Sequence, residues 1–272
     1  MKPERILVYV IADYGALHDL AFAEVKQRLY YELDNIDAHV ATYSVPAFDT
    51  VATGFALAQT AITSKLGKHH KFYVNTAPRK DNLAPRVKNA GEGFAYVRLF
   101  NDVEICAVNS GYTLSFLKPA AQEIRLINCE NAGSQFRSRD IFPPSFGKIA
   151  RGNYEELGED LTGSVPDYPE NVVCYTDGYG NMKCSITSDM IDSRKGQDII
   201  LDLNAHHQIA RVADGIFGVS DGQFCLSRGS SGWALPDGKT LEFCEIVKRG
   251  GSAAQTFNFP AGGASISWRA IG

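Results

Sequence analysis

Two polar residues stand where short apolar runs end. Asp13 follows the run 6–12, and Asn75 follows 72–74. If those runs are parallel strands, their carboxyl ends are where α/β layers bind ligands, so Asp13 and Asn75 mark a candidate site. A plainer reading of Asp13-Tyr14-Gly15 is a helix N-cap with a turn glycine. The familiar motifs are missing around them. No G-x-G-x-x-G follows the first run, there is no G-x-x-x-x-G-K-[ST], and no serine sits in G-x-S-x-G. Six histidines occur, four as the adjacent pairs His69-His70 and His206-His207. Neighbouring histidines point in different directions and rarely share one metal, so no metal is expected. The pair 69–70 lies among Lys65, Lys68 and Lys71 and reads as a solvated turn.

The elements that would carry these residues follow from periodicity. Residues 6–12 read as a buried, parallel strand. Helical spacing of Leu20, Phe22, Ala23, Val25, Leu29 and Tyr30 predicts a helix over 18–33. Residues 37–43 alternate and predict a strand, 48–66 a second helix, and 72–74 a third strand. This βαβαβ order is the pattern of a parallel α/β layer. A polar loop over 76–93 precedes strands over 94–99 and 103–108. A short helix is expected over 140–150 and a further helical turn over 153–157. Gly163-Ser164-Val165-Pro166-Asp167-Tyr168-Pro169 is rich in breakers. Beyond it, short runs at 172–176, 182–186, 198–203, 209–212, 222–226 and 241–246 alternate with Gly, Asp and Asn turns. The expectation is an α/β N-terminal domain over 1–164 with a mostly parallel sheet. A linker at 165–169 then leads to a smaller all-β, barrel-like domain over 170–272.

Composition narrows the class. With 272 residues, 44% of them hydrophobic and 21% charged, the chain can bury a real core. The net charge of −4 gives no bulk attraction to nucleic acid. No run approaches the ~20 apolar residues of a membrane span, and the first run reads as a strand rather than a signal peptide. None of the six cysteines forms C-x-x-C, and most sit in apolar runs, which suits reduced thiols in the cytoplasm.

Four separated stretches together resemble the S-adenosylmethionine hydroxide adenosyltransferase and halogenase family, which includes adenosine-forming hydrolases and the fluorinase and chlorinase enzymes. Asp13-Tyr14-Gly15 with His18-Asp19 and Lys26 resembles the family's opening D-F-G segment and first helix. Ser134-Gln135-Phe136-Arg137-Ser138-Arg139-Asp140-Ile141-Phe142-Pro143-Pro144 is similar to S-T-F-H-G-R-D-I-F-A-P, the most specific of the four. Tyr175 to Asn181 resembles I-D-R-F-G-N. Ser220-Asp221-Gly222 with Arg228-Gly229-Ser230 resembles the late S-x-G and N-R-G-N-A turns.

The resemblance implies a homotrimer with substrate held between subunits, and no cofactor beyond the substrate S-adenosylmethionine. It implies that Asp13 binds the ribose hydroxyls, that Phe48 packs near the ligand, and that Asp177 and Ser220 hold the methionine end. Asn181 and the backbone near Ser230 would read the adenine edge. Such roles are physically sensible: a carboxylate suits a diol or an ammonium, and an amide suits a base edge. Without the resemblance, Asp177 to Asn181 reads as a β-turn.

The implied reaction displaces methionine at the ribose 5′ carbon. A neutral thioether leaves, so no general acid is needed, and what remains is to position and desolvate the nucleophile. The family's hydrolases use an Asp-Arg-His set for water. Here Asn75 stands for the Asp and Arg137, beside Ser138, for the His, while Arg79 or Lys80 would stand for the Arg. Asn is no base near neutral pH and Arg stays protonated. The stretch 75–111 fits neither the hydrolase nor the halogenase length. Three outcomes follow: hydrolysis to adenosine and methionine with an altered set, displacement by another nucleophile such as halide near Arg137 and Ser138, or binding without chemistry.

Overall fold

The computed structural model describes residues 5–78, 84 and 91–271. Its contacts divide the chain into two compact units, Met1–Asp167 and Tyr168–Gly272.

The first unit opens with strand β1 (Ile6–Ala12), helix α1 (Leu20–Glu32), β2 (Ala38–Ser44), α2 (Thr50–Ile62) and β3 (His70–Asn75). Each helix starts on an aspartate. Asp19 accepts from Ala21 N at 2.9 Å, and Asp49 accepts from Ala52 N at 2.8 Å, so orphan N–H groups of the first turns are satisfied. Asp19, not Asp13, therefore caps α1. Then come β4 (Phe94–Leu99), β5 (Glu104–Val108), β6 (Ala121–Ile127), α3 (Arg137–Asp140), α4 (Phe142–Ala150) and β7 (Leu157–Asp160). Prolines in the first turn of α4 cost it nothing, because those N–H groups lack helical partners anyway.

The seven strands lie in the order β2-β1-β3-β5-β4-β6-β7. This overturns the mostly parallel sheet. Pairs β1·β2, β1·β3 and β3·β5 are parallel, whereas β4·β5, β4·β6 and β6·β7 are antiparallel. The reason was in the spacing: the link from β4 to β5 is far too short for the crossover a parallel pair needs. The turn expected over 153–157 is not helical and leads directly into β7. Strand β6 has polar Gln122, Glu123 and Arg125 among its apolar residues, which hid it.

Sheet and helices meet in one apolar cluster. Phe94 of β4 stacks on Phe142 of α4 with centroids 4.3 Å apart, and Tyr73 of β3 meets Phe146 edge-on at 5.4 Å. Val25 and Leu29 of α1 are fully covered in the same cluster. Each such side chain contributes about 1.5–3 kcal/mol on burial.

The second unit contains β8 (Val173–Thr176), β9 (Met182–Thr187), α5 (Ser188–Ile191), β10 (Asp198–Leu203) and β11 (His206–Ala213). These are followed by β12 (Phe224–Ala234), β13 (Thr240–Lys248), α6 (Ala253–Thr256) and β14 (Ile266–Ala270). The order is β14-β10-β11-β12-β13-β9-β8. This sheet is mixed too, since β11 and β12 run parallel. It curls until its edges meet: Val173 N donates to Ala264 O at 2.9 Å, and Val172 bridges Ser265. Both units are therefore rich in sheet, and no helix of the described residues is long and apolar enough to cross a membrane.

Candidate functional site

The ends of β1 and β3 are neighbours, with Ala12 in register with Asn75. The backbone N–H of Asp13 donates to Asn75 O at 3.2 Å. Asp13 and Asn75, both half-buried, thus leave adjacent strand ends. The carboxylate of Asp13 accepts the backbone N–H of Phe48 at 2.9 Å. Val45 N donates to Ala12 O at 3.0 Å, and Ser44 Oγ donates to the carbonyl of Gly15. The loops after β1 and β2 are thereby joined, and they expose Leu17 and Phe48 at 56% and 60%, beside Leu20 at the start of α1 at 78%.

Behind Asn75 lies a set of buried hydroxyls that sequence reasoning missed. Thr53 Oγ1 of α2 is 2.9 Å from Thr76 Oγ1, and Ser110 Oγ donates to the carbonyl of Thr76 and lies 3.3 Å from Thr113 Oγ1. They tie α2 and the loop after β5 to the end of β3. Their signal was Ser and Thr at the ends of apolar runs, which is weak without a known sheet order.

Arg137 and Ser138 open α3. Arg137 Nη1 donates to the carbonyl of Glu92 at 2.7 Å, and its guanidinium lies 4.7 Å from the ring centre of Phe142. Gly91 makes room for it: a Cβ there would stand 2.5 Å from Arg137 Nη1. Ser138 is buried, and its carbonyl accepts the hydroxyl of Tyr73 at 2.6 Å. The Tyr14 hydroxyl is buried near Ser138 without a well-formed hydrogen bond. Burial raises its pKa, with the Ser138 hydroxyl pulling it down and the charge of Asp13 pushing it up.

The rest of this stretch closes on itself. Ser134 Oγ accepts Phe136 N at 3.1 Å, and Asp140 accepts Ser134 N at 3.0 Å. Arg139 reaches Asp140 at 2.7 Å and Glu24 at 2.9 Å. The Arg139 guanidinium, then Ser134, hold the Asp140 carboxyl well below the usual range. Arg79 and Lys80 lie outside the described residues.

In the second unit Asp177 and Asn181 serve one turn. Asp177 Oδ1 accepts Tyr179 N at 2.9 Å and Asn181 N at 3.0 Å, and Oδ2 accepts Asn181 Nδ2 at 3.1 Å. Ala254 N donates to Gly180 O at 2.9 Å, and Gly180 (φ +82°) has no room for a Cβ beside Ser252. Ser220 opens another turn, where its carbonyl accepts the N–H of Gln223 at 3.1 Å. Its turn packs Asp221 against Gly250, and Arg249 Nη1 donates to Val219 O at 2.6 Å. Ser230 is on β12, where its N–H and hydroxyl both donate to the buried Glu245, at 3.0 and 3.2 Å. Lys183 of β9 meets the same carboxylate at 2.6 Å.

Sequence reasoning did not single out Tyr179, Phe217 or Arg249. The two rings are each 84% exposed, and Arg249 lies 5.6 Å from the centre of Phe217. Phe217 also lines a cavity of about 440 Å³, together with Lys195, Arg211 and Asp214. Lys195 pairs with Asp214, and Arg211 with Asp198 at 3.1 Å.

The histidines divide. His206 and His207 are exposed on β11, with His207 Nδ1 on Asp202. His70 is not in a solvated turn. It is buried in β3 between Tyr9 and Phe72, with Nδ1 2.8 Å from Ser64 Oγ. Burial pushes its pKa down to about 4.

No family model matches the chain, and no curated protein does. Solved structures do. An uncharacterized conserved protein from Thermotoga maritima aligns with a TM-score of 0.72 at 19% identity, over 96% of this chain and 99% of that one. A conserved hypothetical protein from Thermus thermophilus aligns with a TM-score of 0.66 at 17% identity, over 97% and 100%. At these identities the likeness shows the fold alone.

Proposed function

We propose that this protein binds S-adenosylmethionine and displaces L-methionine at the ribose 5′ carbon, with water as nucleophile, its proton passing to solvent, and adenosine as product. The observation that carries the reading is the Asp13–Asn75 pair at the carboxyl ends of adjacent parallel strands, the place where α/β layers hold ligands. An ionised carboxylate there suits the ribose diol. The four motifs of the resemblance add the substrate's identity.

The proposal assigns Asp13 to the ribose and the exposed ring of Phe48 to the ligand's apolar face. Asp177 and Ser220 take the methionine end, and Asn181 with the Ser230 backbone the adenine edge. Asp177 keeps acceptor capacity, and Asn181 donor and acceptor capacity, beyond the hydrogen bonds of their turn. The homotrimer and the cytoplasmic setting belong to the same proposal. All six cysteines are free thiols.

Arg137 is engaged by the Glu92 carbonyl and the Phe142 ring. That favours a structural part for it over a halide site. Asn75 provides no base. These two observations favour a second reading, binding without turnover. Purified protein incubated with S-adenosylmethionine, with and without halide, and followed by mass separates the readings. Adenosine supports hydrolysis, a 5′-halo-adenosine supports halide, and binding without product supports the second reading.

A further inference from the structure

We infer that Asp13 is a positioning residue for Phe48: its carboxylate holds the Phe48 backbone in a left-handed conformation and so presents the ring as a preformed aromatic wall beside itself. The inference deepens the reading of the Asp13 site. It rests on that reading for the ligand's identity and not for the linkage.

Phe48 has φ +63°, where a bulky side chain crowds its own backbone. Such a conformation persists only where its surroundings hold it. Here they do so from both sides. Asp13 takes the Phe48 N–H at 2.9 Å, and the next residue, Asp49, is fixed as the cap of α2. The Ser44–Gly15 and Val45–Ala12 contacts hold the same loop against the end of β1.

Phe48 gains little in return, because the residue is 60% exposed. Gly or Asn would make the turn with less strain. An aromatic ring held in solvent, in a costly conformation, by a carboxylate is explained if the ring's placement is the purpose. In the proposed site the Asp13 carboxylate meets hydroxyls of a ligand whose apolar or cationic face meets the ring. A sulfonium beside an aromatic face is attracted by the ring quadrupole.

Amide hydrogen exchange on ligand-free protein tests the linkage. Asp13→Asn keeps an acceptor oxygen and should leave Phe48 protection near wild type. Asp13→Ala should speed exchange at Phe48 by about tenfold or more, with β1 and β3 amides unchanged. Unchanged Phe48 protection in Asp13→Ala overturns the inference. Should that variant not fold, Phe48→Gly decides: relief of strain should raise the melting temperature, and a lower one overturns the inference. With S-adenosylmethionine as probe, Phe48→Gly should weaken binding by about tenfold. Equal affinity would refute the ring's role. If the wild type does not bind that probe, the ligand assignment fails while the exchange result still decides the linkage.

Discussion

The carbonyl of Asn75 accepts the backbone N–H of Asp13 at 3.2 Å, so the two side chains emerge from adjacent strand ends. Asn75 is thus where a base would stand if Asp13 holds the ribose. Asn75→Asp supplies a carboxylate and should speed adenosine formation by about a hundredfold, the lower end for a positioned base. The nearby Asp13 charge should raise the new group's pKa, so the gain should grow as pH rises through its titration. An unchanged rate by product chromatography would show that residue 75 is not at the nucleophile.

Arg137 ties the Glu92 carbonyl to the Phe142 ring in the space that Gly91 leaves open. Arg137→Ala should lower stability by about 2–4 kcal/mol, from a charged hydrogen bond and a partly buried cation–ring contact. Arg137→Lys should recover only part of this, because a point charge replaces a flat, stacked group. Gly91→Ala should cost about 1–3 kcal/mol through the clash with Nη1. Urea midpoints read all three, and an unaltered midpoint in Arg137→Ala would show that the tie carries no weight.

Asp177 offers a separation of shape from charge. Asp177→Ala removes the acceptor of three hydrogen bonds and should cost about 1–3 kcal/mol. Asp177→Asn keeps an acceptor and should stay nearer to wild type in stability. If the carboxylate also meets the ligand's ammonium, Asp177→Asn should weaken S-adenosylmethionine binding by about tenfold in calorimetry. Wild-type affinity in that variant would confine Asp177 to the turn.

His70 sets a pH dependence. Its folded pKa is pushed from 6.5 down to about 4 by burial. The stability tied to the neutral ring is present above pH 6.5 and is lost as pH falls toward 4, while the unfolded chain takes up the proton. The full loss is about 3 kcal/mol. Denaturant midpoints between pH 7 and 4 should fall less steeply in His70→Gln. Identical slopes would remove His70 from the acid response.

Much of this was legible in the chain. The run 6–12 is strand β1 because its apolar residues continue without alternation, as a strand covered on both faces requires. The helices were legible from spacing, but their starts shifted to Asp19 and Asp49, whose caps are decided by geometry. The mixed sheet was misread because three parallel strands came first in order and β6 and β7 carry polar residues. His70 was misread because its lysine-rich sequence neighbours do not reveal that the ring turns inward to Tyr9. The Phe48 N–H on Asp13 was illegible, since 35 residues separate the two. No local pattern reports a contact made only by the order of strands.

The proposed function depends first on which small molecule Asp13 binds. The most direct measurement incubates wild-type protein and Asp13→Ala with S-adenosylmethionine and follows binding by calorimetry and products by mass. Wild type should bind it and release adenosine and methionine, with both signals lost in Asp13→Ala. Absence of binding in the wild type, or undiminished affinity in Asp13→Ala, would contradict the proposed function.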